Sequence, residues 1–167
     1  MKNSIIVTLF CSLSVCCYAQ QWYVNEQPSD DLKGTKSIYN MTYKMPWGEY
    51  FNCIEGNWNS FSVHTWNYID TQYELNPFWT GDYSKCCFVK IGLYNADSKM
   101  VKKYEDVKLS ISDKDYRLAH LRNSEIAKAV LQHLFKTNGF VRILIPAAAS
   151  EDDIELKIPH FSNPKKG

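Results

Sequence analysis

From Ser37 onward the chain alternates with a period of two. Tyr39, Met41, Tyr43 and Met45 lie on one side of the pattern, and Ile38, Asn40, Thr42 and Lys44 on the other. Alternation of this kind gives a strand one apolar face, and Pro46 ends it. The next run, GEYFNCIE, leads into the turn-rich Gly56-Asn57-Trp58-Asn59-Ser60 and then FSVHTWNYI, where Phe61, Val63 and Thr65 alternate. Two apolar runs around a Gly/Asn turn predict a hairpin. Residues 70–85 read as a loop, broken by Asn76-Pro77 and Gly81-Asp82. A strand follows over 86–94, then Asn95-Ala96-Asp97-Ser98 turns the chain into a second strand near 99–104. Val107, Leu109 and Ile111 mark a third.

After Asp113 the period changes. Ile126, Val130 and Leu134 are four apart, flanked by Ala127, Leu131 and Phe135, which is the stripe of an amphipathic helix. Asn123 or Ser124 caps its start, and Asn138-Gly139 stops it. Residues 113–122 read as a loop or an extra helical turn. Val141, Ile143 and Ile145, then Ile154, Leu156 and Ile158, alternate as a closing hairpin whose Pro159 belongs on an edge strand. The expected fold is mainly β with one substantial helix (α+β). It is an antiparallel β-sandwich or sheet of about eight strands, with the helix near 124–137 packed on it.

The N-terminus carries a different pattern. One Lys, a short apolar stretch and small residues up to Cys17-Tyr18-Ala19 form the layout of a secretory signal cut after Ala19. The apolar stretch is shorter than the roughly 20 residues needed to span a bilayer, and no later segment is longer, so no transmembrane segment is expected. Leu13-Ser14-Val15-Cys16 resembles a lipoprotein cleavage site with Cys16 as the lipid anchor. Val15 stands where that pattern takes Gly, Ala or Ser, which favours the cut after Ala19. The domain reading is therefore a signal at 1–19, an extended leader at 20–36, a single β-rich domain at 37–161 and a tail at 162–167. Localisation follows as exported, either periplasmic or secreted.

Charge narrows the partners. Without Lys2, the chain from residue 20 balances 18 basic against 18 acidic side chains. That balance lacks the electrostatic footprint of a nucleic-acid binder.

Signal cleavage leaves Cys53, Cys86 and Cys87. Export permits a disulfide. Neighbours in a strand point to opposite faces, so Cys86 and Cys87 cannot both reach one partner. Cys87 shares a row with Val89, Ile91 and Leu93, and Cys86 with Phe88, Lys90, Gly92 and Tyr94. One bridge is expected, Cys53–Cys86 or Cys53–Cys87, with the remaining thiol buried. Two cysteines two residues apart, as a redox site needs, do not occur, and three cysteines without paired histidines do not make a zinc site.

Other chemistry is sparse. His64, His120, His133 and His160 are scattered, with no helical metal-binding pair. No Gly-x-Ser-x-Gly, Ser-x-x-Lys or phosphate-cradling loop appears. Carboxylates cluster at Asp30-Asp31, Asp113/Asp115 and Glu151-Asp152-Asp153, without the ligand spacing of an EF-hand. No catalytic residue, metal or cofactor is assigned.

The aromatic loops are the most suggestive surface feature. Trp58 sits in the hairpin turn, and Phe78, Trp79 and Tyr83 lie in NPFWTGDY beside Asn and Asp. Exposed aromatics among polar neighbours suit a protein partner. Together with export and the lack of a catalytic set, they predict a non-enzymatic exported binding protein, of which an immunity or inhibitor protein is one form. The alternative is a carbohydrate-binding module using the same aromatics. The second alternative is a hydrolase with dispersed carboxylates, since such a pair leaves no local motif.

Overall fold

The fold was derived from a computed structural model, which describes residues 21–28, 32, 34, 36–74, 84–148 and 152–161. Among the described residues, ten strands and one helix follow in the order β1 (Gln21–Gln27), β2 (Ile38–Lys44), β3 (Tyr50–Ile54), β4 (Phe61–His64), β5 (Gln72–Glu74), β6 (Ser84–Tyr94), β7 (Met100–Ile111), β8 (Leu118–Leu121), α1 (Glu125–Lys136), β9 (Phe140–Ile145) and β10 (Ile154–Pro159). All ten strands join one antiparallel sheet with the spatial order β1-β2-β3-β4-β8-β7-β6-β9-β10, and β5 pairs with β6. The expected mainly-β fold with a late helix is therefore present, as a single sheet with more strands than the sequence suggested.

Four segments differ from expectation. The leader contributes β1, whose Trp22 is buried. The stretch 113–122 contains β8, which joins two meanders by pairing with β4 and β7. β5 forms inside the expected 70–85 loop. The two strands expected over 99–111 are one strand, β7, bent at a bulge. There Val89 to Ile91 on β6 spans Val107 back to Tyr104 on β7, and Asp106 takes φ +54°. Aspartate tolerates this left-handed region better than most residues, so the extra residue lengthens the strand without ending it.

The helix buries one face against the sheet. Ser124 Oγ accepts from Ile126 N at 3.2 Å, the expected N-cap. Ala127, Val130, Leu131 and Leu134 are fully buried, and each fully buried Val or Leu contributes roughly 1.5–3 kcal/mol. At the helix start, Ser124 N donates to Asn59 O at 3.0 Å in the β3–β4 turn. At its end, Leu134 O accepts from Phe161 N at 2.8 Å, beyond β10. Trp22 on β1 brings the outer strands of the sheet together: its Nε1 donates to the carbonyls of Pro159 and His160 at 3.3 and 3.1 Å. Trp22 then packs against Tyr43, Phe51, Phe135 and Phe161, closing one continuous core.

The expected disulfide does not form. Cys53, Cys86 and Cys87 are buried thiols, with no bridge among the described residues. β4, β8 and β7 lie between the strands that carry Cys53 and Cys87. Cys86 points away from the core that Cys53 and Cys87 share. Strand alternation did separate the adjacent pair as expected, with Cys87 in the buried Val89-Ile91-Leu93 row. Among the described residues, no helix is long and apolar enough to cross a membrane.

Candidate functional site: an aromatic rim

Strand register gathers three loops at one end of the sheet. Tyr50 pairs with His64, and His64 with Leu118. The turn before β3, the segment after β4 and the segment before β8 therefore lie side by side.

Each loop is fixed by its backbone. The first is closed by Met45 N to Glu49 O at 2.9 Å and Gly48 N to Met45 O at 3.3 Å. Gly48 has φ +93°, a conformation glycine adopts without steric cost. Trp47, at the tip, is 81% exposed. In the second loop, Thr65 N donates to Arg117 O at 2.9 Å and Ile69 N to Tyr116 O at 3.0 Å. Thr65 Oγ1 closes onto Asn67 O, and Asn67 Oδ1 accepts from Tyr68 N at 2.8 Å. Thr65 and Ile69 are thereby buried, while Trp66 and Tyr68 point outward, 55% and 59% exposed. Tyr68 also meets Tyr116 edge-on, with centroids 6.3 Å apart.

Asp115 organises the third loop. Its Oδ1 accepts from both Arg117 N and Arg117 Nε at 3.0 Å, and its Oδ2 lies 3.3 Å from His64 Nε2. Hydrogen bonds from Arg117, and then from His64, hold the Asp115 carboxyl down at about 2. Asp115 in turn raises the Arg117 guanidinium. The result is an Arg117–Asp115 ion pair in the loop that packs against the Thr65–Ile69 segment carrying Trp66 and Tyr68.

The His64–Asp115 pair resembles the base-and-orienter half of a nucleophilic site, with no hydroxyl or thiol against its imidazole among the described residues. His64 Nδ1 is buried without a hydrogen-bond partner, so neither ring nitrogen engages a hydroxyl or thiol among the described residues. The pair positions the rim. No group of three or more His, Cys, Asp or Glu arranged for a metal ion occurs among the described residues.

Of the residues singled out from sequence, Trp58 lies at the far end of β4, in the β3–β4 turn. It is 41% exposed and packs edge-on against Phe135, centroids 5.0 Å apart. With Glu125, Lys128 and Gln132 it lines a cleft of about 590 Å³ over the helix. Phe78, Trp79 and Tyr83 lie outside the described residues. Trp47, Trp66 and Tyr68 do not stand out in the sequence as surface aromatics. A signal for two of them existed: Phe61, Val63 and Thr65 define the inward row, so Trp66 and Tyr68 fall in the outward one.

Compared with known proteins, the chain matches no family model, no curated protein and no solved structure.

Proposed function

We propose that this chain is an exported, non-enzymatic binding protein that engages a protein partner through the rim formed by Trp47, Trp66 and Tyr68, with Arg117 at its side. The observation carrying this reading is that these three are the most exposed of the described aromatic side chains and project from loops at one end of the sheet. Trp, Tyr and Arg are the residue types that dominate binding energy at interfaces. Here they stand on loops pinned by backbone hydrogen bonds, which lowers the ordering cost on association. An immunity or inhibitor protein is one form such a binder takes. Export rests on the signal-like N-terminus.

Affinity capture from an envelope extract tests the reading. The parent is expected to retain a stoichiometric protein partner, and Trp66→Ala/Tyr68→Ala to weaken capture by several hundredfold, at roughly 2 kcal/mol per anchor. No stoichiometric partner, or equal capture by the variant, overturns it. A glycan array bound by the parent and not by Trp47→Ala would replace it with carbohydrate binding.

A further inference from the structure

Glu49 closes the turn that carries Trp47 and continues the inward row of Phe51 and Cys53. It is 6% exposed, and its Oε2 is buried with no hydrogen-bond partner. A buried carboxylate oxygen without a donor is costly, so such groups are normally paired. Glu49 also lines a cleft of about 350 Å³ between its turn and β10, together with Tyr43, Met45, Pro46, Trp47 and Pro159.

The two other charged residues of this cleft are engaged elsewhere. Glu155 receives Arg142 Nε and Nη2 at 2.8 and 2.7 Å. The Lys157 ammonium lies over the Phe140 ring, 4.5 Å from its centroid. What remains is the Glu49 carboxyl with its buried oxygen lacking a donor, apolar walls and an exposed indole.

We propose that this cleft receives a lysine side chain of the protein partner, with its ammonium on the Glu49 carboxylate and its stem along Met45, Pro46 and Pro159 beside Trp47. This rests on the partner-binding reading, because Trp47 belongs to both the rim and the cleft. The ligand class follows from the donors and acceptors. Carboxylate oxygens only accept, which selects a donor and rejects an anion. The buried oxygen without a donor is met by a point-like ammonium, whereas the guanidinium of arginine presents a wider two-pronged fork. A sugar would need several polar partners, whereas a four-carbon stem needs apolar walls. The terminal torsion of glutamate is soft, so the carboxyl can turn to meet the incoming ammonium, and Trp47 adds a cation–π face.

The test is a titration of the isotope-labelled full chain with Nα-acetyl-lysine methylamide, read at the Trp47 indole and Gly48 amide resonances. Saturable shifts are expected, absent with the norleucine analogue that keeps the stem without the ammonium. Glu49→Gln is expected to weaken binding by about tenfold or more, since a charge-assisted hydrogen bond is lost. Should that variant fail to fold, Trp47→Ala on the exposed turn is expected to weaken binding severalfold, read at Gly48. No saturable shift, an equal response to the norleucine analogue, or binding that emerges only in Lys157→Gln overturns the proposal. Capture that depends on Trp66 and Tyr68 without lysine binding would reject this site and leave the interface standing. Lysine binding without capture would do the reverse.

Discussion

Tyr50 and His64 lie face to face across β3 and β4, ring centroids 4.8 Å apart and planes within 2° of parallel. The stack fixes the imidazole so that Nε2 meets Asp115 Oδ2, and Asp115 in turn gathers the Arg117 loop. One aromatic pair on the sheet thus anchors a loop of the rim to the rigid strands.

Asp115→Asn is expected to destabilise the fold at neutral pH by roughly 0.5–1 kcal/mol, a discounted figure because the pair is partly solvated. The folded carboxyl titrates at about 2, below its unfolded value of about 3.9. Its contribution is therefore complete above about pH 4 and is lost as pH falls toward 2. Urea midpoints of parent and variant should differ at pH 7 and converge near pH 2. A gap that persists at pH 2 would mean that the charge of Asp115 is irrelevant.

Trp22 joins the two outer strands of the sheet by its indole hydrogen bonds and its ring contacts, and two substitutions separate these roles. Trp22→Phe keeps a ring among Tyr43, Phe51 and Phe135 but removes the donor to Pro159 and His160, for about 1 kcal/mol plus a small cavity term. Trp22→Ala empties the site and is expected to cost about 3–5 kcal/mol. Chemical denaturation gives both values. Equal losses would show that packing contributes nothing at this position.

The helix and the last hairpin were readable because their patterns are long relative to their periods. Six apolar positions between Ile126 and Phe135 admit one helical face, and β9 and β10 each bury every second residue. β8 was not readable, since its four residues become a strand only through β4 and β7, which are distant in sequence. In sequence the first half of β7 looks like a separate strand, because Met100 to Glu105 are largely exposed and show no buried row to continue into Val107. The rim is hidden in the sequence for a related reason. Trp22 and Trp47 are the same residue type in similarly mixed settings, yet one is core and the other almost bare. What decides between them is the curl of the sheet, which brings β10 to Trp22 and leaves the Trp47 turn protruding.

Gly139 stands where α1 turns into β9, against the end of β6. A side-chain carbon there would fall onto the carbonyl oxygen of Tyr94 and within 2.6 Å of His133 Nε2. Those two groups already face each other at 2.8 Å, tying the last helical turn to the sheet. Gly139→Ala is expected to cost at least about 1–3 kcal/mol, the usual toll of overpacking, and to release the His133 contact. A urea midpoint unchanged from the parent would contradict this close approach.

Burial raises the thiols of Cys53 and Cys87, each to about 12, with the nearby Cys86 and Asp70 adding to the effect at Cys87. Since the thiolate is the reactive species, both are expected to resist iodoacetamide at pH 8 in the folded chain and to react after unfolding. An unfolded thiol titrates near 8.5, so the folded state keeps protons that the unfolded chain releases. Stability contributed by these thiols is full below about pH 8.5 and falls as pH rises toward 12, which Cys53→Ala/Cys87→Ala should lessen in an alkaline melt. Non-reducing mass mapping gives the sharper outcome. It is expected to find Cys53 and Cys87 as free thiols, and a disulfide to Cys53 would contradict their state in the structure.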